Sequence, residues 1–237
     1  MNRTRSPRLL LTGEHDCPYL PRRQARNLVV EPGTVQDRGD HTDFSRLGFR
    51  RSGNYLYRPH CAGCAACISM RVPVQRFRWR RRHRRCLRHN QDLVAREGPI
   101  RFRQEAFELY QRYQQARHAG GPMLAADEFD YLGFMQADWA DSRMVEFERD
   151  GRLLAVAVLD RLDDGLSAVY SFYEPTLTRR SLGRYTILWQ IQYARDLNLP
   201  YLYLGYWIAE SRKMSYKADF LPVELHLGGS WQLRESL

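Results

Sequence analysis

Between residues 144 and 173 two Asp-Gly pairs separate three runs of strand-forming residues, and this pattern constrains the fold more than any other. Met144-Val-Glu-Phe-Glu and Leu153-Leu-Ala-Val-Ala-Val-Leu159 flank Asp150-Gly151, a pair that suits a two-residue hairpin turn because both residue types tolerate a left-handed backbone. Asp164-Gly165 then leads into Leu166-Ser-Ala-Val-Tyr-Ser-Phe-Tyr173, so three antiparallel strands are expected in succession. Ile187, Leu188, Ile191 and Ala194 follow at helical spacing up to Asn198-Leu-Pro200, and Tyr201-Leu-Tyr-Leu-Gly-Tyr206 is expected to return as a parallel strand. Pro222-Val-Glu-Leu-His-Leu227 is the last strand the pattern predicts.

That order resembles the acyltransferases of the GNAT type, in which a strand opens into a glycine-containing loop at a helix N-terminus whose N–H groups hold phosphate. The corresponding loop is Arg180-Ser-Leu-Gly183-Arg-Tyr185, with Ser181 and Gly183 as its candidate contacts. Tyr185 stands where a glycine or alanine is usual and is expected to crowd a coenzyme A pyrophosphate. Upstream, Phe102, Ala106, Leu109, Tyr110 and Tyr113 predict a helix that ends near Ala119-Gly120-Gly121-Pro122. With Gly98-Pro99 as the boundary, the expected fold class is α+β: a basic N-terminal α/β domain over residues 1–98, then a GNAT-like transferase domain over residues 99–237.

Charge separates the same two segments. Residues 1–98 hold 21 Arg against 8 Asp and Glu, whereas residues 99–237 hold 16 Arg and Lys against 19, so the net +10 originates in the first segment. Such an excess favours a polyanion, and nucleic acid is the expectation. It peaks in Arg76-Phe-Arg-Trp-Arg-Arg-Arg-His-Arg-Arg-Cys-Leu-Arg88. There Arg76, Arg78, Arg80, Arg81, Arg84, Arg85 and Arg88 suit tRNA phosphates and Trp79 suits an unpaired base, with a solvated basic surface as the plain alternative. No run of 18 apolar residues is present to span a membrane, and the first turn of sequence, Met1 to Glu14, is too poor in apolar residues for a signal peptide, so a cytoplasmic location is expected. Five cysteines, an odd number, argue against a disulfide framework. Cys61, Cys64 and Cys67 are spaced closely enough for an Fe–S cluster or zinc, with Cys17 or Cys86 as a fourth ligand and free thiols as the alternative.

Longer motifs carry a more specific resemblance. Cys17-Pro-Tyr-Leu-Pro21, Leu47-Gly-Phe-Arg-Arg-Ser-Gly-Asn-Tyr-Leu-Tyr-Arg-Pro59, Cys61-Ala-Gly-Cys-Ala-Ala-Cys67, Ser181-Leu-Gly-Arg-Tyr185, Tyr203-Leu-Gly-Tyr-Trp-Ile208 and Arg212-Lys-Met-Ser-Tyr-Lys217 together resemble the aminoacyl-tRNA–protein transferase family, in its bacterial branch. The resemblance covers nearly the whole chain. It implies transfer of leucine from leucyl-tRNA to the α-amine of proteins that begin with Asp or Glu, marking them for N-degron degradation, with no cofactor required. An arginyl donor is the first alternative and a coenzyme A-dependent N-acetyltransferase the second. The residues agree with a tRNA-borne donor: an aminoacyl ester is already activated, and the chain shows neither a Walker loop nor a Gly-x-Ser-x-Gly elbow.

Within those motifs, Arg50 and Arg51 offer a guanidinium fork that matches a carboxylate, while Tyr55 and Tyr57 share one strand face and Arg58 completes the pocket wall. Structural salt bridges are the alternative use of such arginines. Lys213 and Lys217 are the only lysines among 37 basic side chains, and their spacing is expected to place both on one helical face beside Tyr216. Those three and Glu174 are the candidate catalytic groups, and Tyr170 and Tyr173, at the end of the third strand of the meander, are candidate substrate contacts.

Overall fold

The computed structural model describes residues 7–117 and 127–237. The chain opens with β1 (Leu9–Leu11), the short pair β2 (His15–Asp16) and β3 (Gln24–Ala25), β4 (Asn27–Val30), α1 (Arg38–Arg46), β5 (Arg50–Ser52) and β6 (Tyr55–Pro59). Strands β1, β4, β6 and β5 form a four-stranded antiparallel sheet in that order. Next come β7 (Ile68–Pro73), α2 (Arg81–His89), β8 (Val94–Pro99), α3 (Gln104–Arg117), α4 (Glu128–Met135), β9 (Asp141–Arg149), β10 (Arg152–Arg161) and β11 (Gly165–Tyr173). The chain closes with α5 (Leu182–Asp196), β12 (Tyr201–Trp207), β13 (Val223–Leu227) and β14 (Ser230–Arg234). From β7 onward the strands build an eight-stranded sheet in the order β14-β13-β7-β12-β11-β10-β9-β8.

The expected meander is present. Asp150 and Gly151 both hold positive φ, 50° and 76°, which gives the turn the twist that joins β9 to β10. β12 returns parallel to β11, but the pairing covers only Gly165–Ser167 against Tyr201–Tyr203. Gly165 is required there, since a Cβ would lie 2.5 Å from the Tyr201 carbonyl oxygen. Beyond Ser167 the two strands part, while β12 stays paired with β7 along its whole length, with an irregularity between Tyr203 and Gly205. The opening between β11 and β12 is the cleft around which the candidate site is built.

Apolar faces explain the layers. Leu188, Ile191 and Ala194 of α5 are fully buried against Val145, Leu159, Leu166 and Leu202 of the sheet, each large side chain contributing about 1.5–3 kcal/mol. On the opposite face Leu109 and Tyr110 of α3 and Tyr131 and Met135 of α4 pack on Val156 and Phe172. The helix expected from residue 102 begins at Gln104, so Phe102 packs ahead of it on Phe107, with ring centroids 5.7 Å apart. Its expected end at Ala119–Pro122 lies outside the described residues.

Features not anticipated include α4, β8 and the two that follow. β14 follows a turn in which Gly228 and Gly229 both hold positive φ. β7, from the basic half, runs between β12 and β13, and Gly98 and Pro99 are the last residues of β8. Arg71 fastens β7 there: its guanidinium bonds Glu224 at 2.7 Å and the Tyr203 hydroxyl at 2.9 Å while lying over the Tyr201 ring. No helix among the described residues is long and apolar enough to cross a membrane.

Candidate active site

One side chain from the small sheet enters the cleft. Arg50 lies opposite Tyr57 in the β5–β6 pair, and its guanidinium donates to the Val169 carbonyl of β11 at 2.6 Å. On the β12 side it rests on Gly205, whose φ of 70° and missing Cβ leave the room that the guanidinium fills. No carboxylate pairs with Arg50 among the described residues, so a fork of charged donors stands in the cleft with one backbone partner. Tyrosines surround it. The Tyr57 and Tyr206 rings are 5.9 Å apart, and the Tyr206 hydroxyl donates to the Tyr57 carbonyl at 2.8 Å. Burial pushes the Tyr57 and Tyr206 hydroxyls above the ordinary phenol range and raises Tyr19 to about 12, with Arg50 pulling all three the other way.

Beneath Gly205 lies Lys217. It is 4% exposed, and its Nζ donates to the Leu204 carbonyl at 2.7 Å and to the Tyr206 carbonyl. Burial, and then the charge of Arg50, draw its ammonium well below the ordinary lysine range. Lys213 is exposed instead. The segment is a short 3-10 turn, Ser215–Asp219, and not an α-helix, so the expected shared helical face does not form. Tyr216 is 44% exposed with its ring edge-on to Phe220, yet its hydroxyl lies inward: burial raises it above the ordinary phenol range, Arg50 pulls it down and Tyr173 adds to the rise.

Arg51 faces the other way and is fully engaged. It holds Asp160 with two bonds, 2.6 and 2.9 Å, and donates to the Met135 carbonyl at 2.8 Å in a site with no solvent exposure of either side chain. Burial opposes the charge of Asp160, yet Arg51, with His41 and Ser142, holds its carboxyl below the usual range. Arg51 is therefore a structural ion pair and not a substrate fork, which corrects its assignment from sequence. Arg58 donates to the Leu47 carbonyl and lies over the Phe49 ring; Tyr55 and Tyr57 do share a face of β6, with Tyr55 exposed.

At the far end of β11, Tyr173 meets Tyr113 at 4.9 Å, and the Tyr170 hydroxyl accepts from Gln114 at 3.0 Å. The Glu174 carboxylate is buried and turned away: burial raises it, but the Thr176 hydroxyl and N–H, with Arg112 and Arg152, hold it below the ordinary range. Ser181 opens α5 in a left-handed conformation, φ 52°, and its hydroxyl caps nothing. Gly183 is needed because a Cβ would lie 2.7 Å from the Tyr173 ring. Tyr185 points into the core beside Phe147, so it does not crowd the loop as the sequence suggested.

A basic ridge leads to this loop. α2 is fastened by its inner face: His83 accepts the Arg80 N–H through Nδ1 and donates from Nε2 to the Asp219 carbonyl, between the rings of Phe77 and Phe220. At its other end Asn90 donates to the Arg180 carbonyl. Arg76, Arg78, Arg80, Arg81, Arg84, Arg85 and Arg88 are all left exposed. Arg78 is paired with Glu235 at 2.8 Å. Trp79 is half-buried against the core and edge-on to Phe77, which corrects its expected role as an open stacking platform.

With this geometry in place, the chain's relatives are informative. Residues 15–85 match the family described as arginine-tRNA-protein transferase, N terminus, and residues 105–227 match its C terminus. The chain belongs to the arginine-tRNA-protein transferase family. Within the family it is 50% identical over 225 residues to the aspartate/glutamate leucyltransferase of Alcanivorax borkumensis, covering 95% of this chain and 93% of that one. It is 49% identical to the protein of the same name from Pseudomonas fluorescens, covering 93% and 94%. Among solved structures, FemX aligns with 98% of this chain and 86% of its own at a TM-score of 0.52 and 10% identity, a likeness of fold alone that agrees with the GNAT-like arrangement.

The thiols of the cysteine loop are engaged one by one in this family member. Cys64 accepts from Arg23, Cys61 donates to the Arg26 carbonyl, and Cys17 accepts from the Leu20 N–H. Burial, then the thiols of Cys17, Cys61 and Cys64, raise Cys67 to about 11, yet among the described residues no three His, Cys, Asp or Glu side chains converge as metal ligands. Cys86 lies apart, its thiol directed at the Ser181 carbonyl. Tyr19, Tyr113, Gly205 and Tyr206 were missed as site residues. Tyr19 and Tyr206 lay inside the motifs that carry the resemblance, and Gly205 left a signal of its own, a glycine interrupting an aromatic strand, which marks close approach of another group.

Proposed function

We propose that this chain transfers leucine from leucyl-tRNA to the α-amine of proteins that begin with Asp or Glu, and so marks them for N-degron degradation. The observation that carries this reading is Arg50: a guanidinium without a carboxylate partner among the described residues, held in the cleft of a GNAT-like sheet. Its fork suits the acidic side chain of the recipient. The same charge lowers the pKa of the adjacent α-amine, which is about 7.7–8.0 when free, and so raises the neutral fraction that attacks. The exposed arginines of α2 and of residues 76–81 then take the phosphates of the acceptor end, and the ridge delivers the ester to the loop at Ser181. In this reading the basic segment 1–98 grips RNA and residues 99–237 supply most of the catalytic sheet, in the cytoplasm, without a cofactor, because the ester is already activated.

The test offers leucyl-, arginyl- and phenylalanyl-tRNA in parallel to one peptide headed by Asp and to the same peptide headed by Ala. Leucine on the Asp peptide alone is the expected result. Arginine as the preferred donor would support the alternative that the family's descriptive name suggests, and transfer indifferent to the first residue would remove Arg50 from recipient recognition. Acetyl-coenzyme A is a weaker donor candidate, since the Tyr173 ring covers Gly183 where a pyrophosphate loop keeps its glycine bare.

A further inference from the structure

We propose that Lys217 is the general base of the transfer, taking the proton of the attacking α-amine on the nitrogen valence that its two backbone hydrogen bonds leave open. The inference rests on the aminoacyl-transfer reading above and deepens it.

The two acceptors around Lys217, the carbonyls of Leu204 and Tyr206, match the two N–H groups of a neutral amine. A charged ammonium would bring a third N–H and a full charge into a site that is 4% exposed, where no carboxylate pairs with it among the described residues. Uncompensated charge of that kind is strongly disfavoured. With both N–H groups committed to carbonyls, the lone pair projects away from them. The two carbonyls flank Gly205, the residue on which Arg50 lies, and Arg50 is the charged group whose field reaches Lys217. The recipient's carboxylate on Arg50 thus sets its own α-amine beside this nitrogen. As the N–C bond forms and the ester C–O bond breaks, Lys217 relays the proton from the attacking nitrogen to the departing ribose oxygen in one concerted step, so that no ammonium persists in the buried site. Lys217 ends neutral, and the products are the new amide and uncharged tRNA. An arginine could pin the same two carbonyls but cannot serve as a base. Only two of the chain's 37 basic side chains are lysine, and this buried position holds one of them.

The experiment measures leucine transfer to the Asp-headed peptide between about pH 5.5 and 9 for the wild type, Lys217→Arg and Lys217→Ala, with leucyl-tRNA binding followed alongside. Lys217→Arg is expected to bind leucyl-tRNA within about threefold of wild type and to lose about 100-fold or more in kcat. Lys217→Ala is expected to regain turnover on addition of methylamine, with rescue growing as pH rises and the free base accumulates. Turnover of Lys217→Arg within about fivefold of wild type, with an unchanged pH profile, would overturn the proposal. Should arginine disturb the fold, the alanine variant decides alone: if it is folded, binds RNA and is indifferent to methylamine at every pH, Lys217 is only a pin for the bulge. A wild type that transfers no leucine would instead overturn the functional reading.

Discussion

Arg50 and Arg51 are neighbours on one short strand with the same side chain, and their surroundings differ in every respect that matters. Because successive residues of a strand point to opposite faces, Arg51 enters the interface with β10 and meets Asp160, whereas Arg50 enters the cleft and meets a carbonyl. One is saturated: two bonds to a carboxylate, two to backbone carbonyls and a contact to Ser142. The other keeps most of its donors unused. The lesson is that a buried charge with all partners present reports on the fold, and a charge with partners missing reports on a ligand.

That contrast is most directly broken by mutation. Arg51→Met should destabilise the protein by about 3–5 kcal/mol, because Asp160 is left as an unpaired buried charge, and urea unfolding checks this. Replacing Arg51 and Asp160 together by apolar residues should cost less than the single change, and a larger loss would mean the pair supplies more than mutual compensation. Arg50→Ala, by contrast, should leave the urea midpoint nearly unmoved and lower transfer to Asp-headed peptides about 100-fold, the range expected for losing charge-assisted bonds. Leucyl-tRNA binding should hold. Gly205→Ala should imitate it, since a Cβ there takes the space of the Arg50 guanidinium and the φ of 70° strains any side chain.

Acid should find the Arg51 side first. His41 is 1% exposed beside Asp160 and edge-on to Trp139, and neither of its ring nitrogens has a hydrogen-bond partner among the described residues. Burial depresses its pKa to about 4 from 6.5, with Asp160 acting in the opposite sense. The unfolded chain therefore takes up a proton between pH 6.5 and 4 that the folded chain does not, so stability falls as pH drops through that window and levels off below it. The loss should be on the order of 3 kcal/mol, and His41→Phe should flatten the slope in pH-dependent unfolding. A profile unchanged by His41→Phe would mean that His41 does not carry the loss in this window, since Asp160, held below its ordinary range, responds only at lower pH.

The smallest effects belong to the ridge. Arg84→Ala and Arg88→Ala should each reduce the dependence of log K on log salt by about 0.7–0.9 and weaken all tRNAs alike. Arg82→Ala should change the slope least, because its guanidinium already pairs with Asp219 at 2.9 Å. Equal slopes for all three variants would mean that pairing on the ridge does not select the phosphate contacts.

Local rules carried the reading of the sequence a long way. Asp150-Gly151, the alternation through β9, β10 and β11, and the helical spacing at Ile187 to Ala194 each express a backbone preference or an apolar face that needs only a few neighbouring residues. The basic ridge was visible for the same reason, since charge density is a property of composition. What failed was whatever depended on distant partners. Trp79 is one such case, a ring that reads as an open platform until the core that covers it is known. Lys213 and Lys217 are another, separated in burial by a tight turn where an α-helix was expected.

The sequence by itself therefore determined the meander, the return strand, the place of the positive charge and the family of the chain, because these follow from periodicity, turn chemistry and long motifs. The tertiary structure alone decided which of two adjacent arginines is spoken for, since the carboxylate that claims Arg51 lies 109 residues away and the two side chains differ only in the face they take. It also decided that β7 joins the large sheet and that Lys217 lies under Gly205, because strand order and depth of burial are set by packing between segments that no local pattern connects.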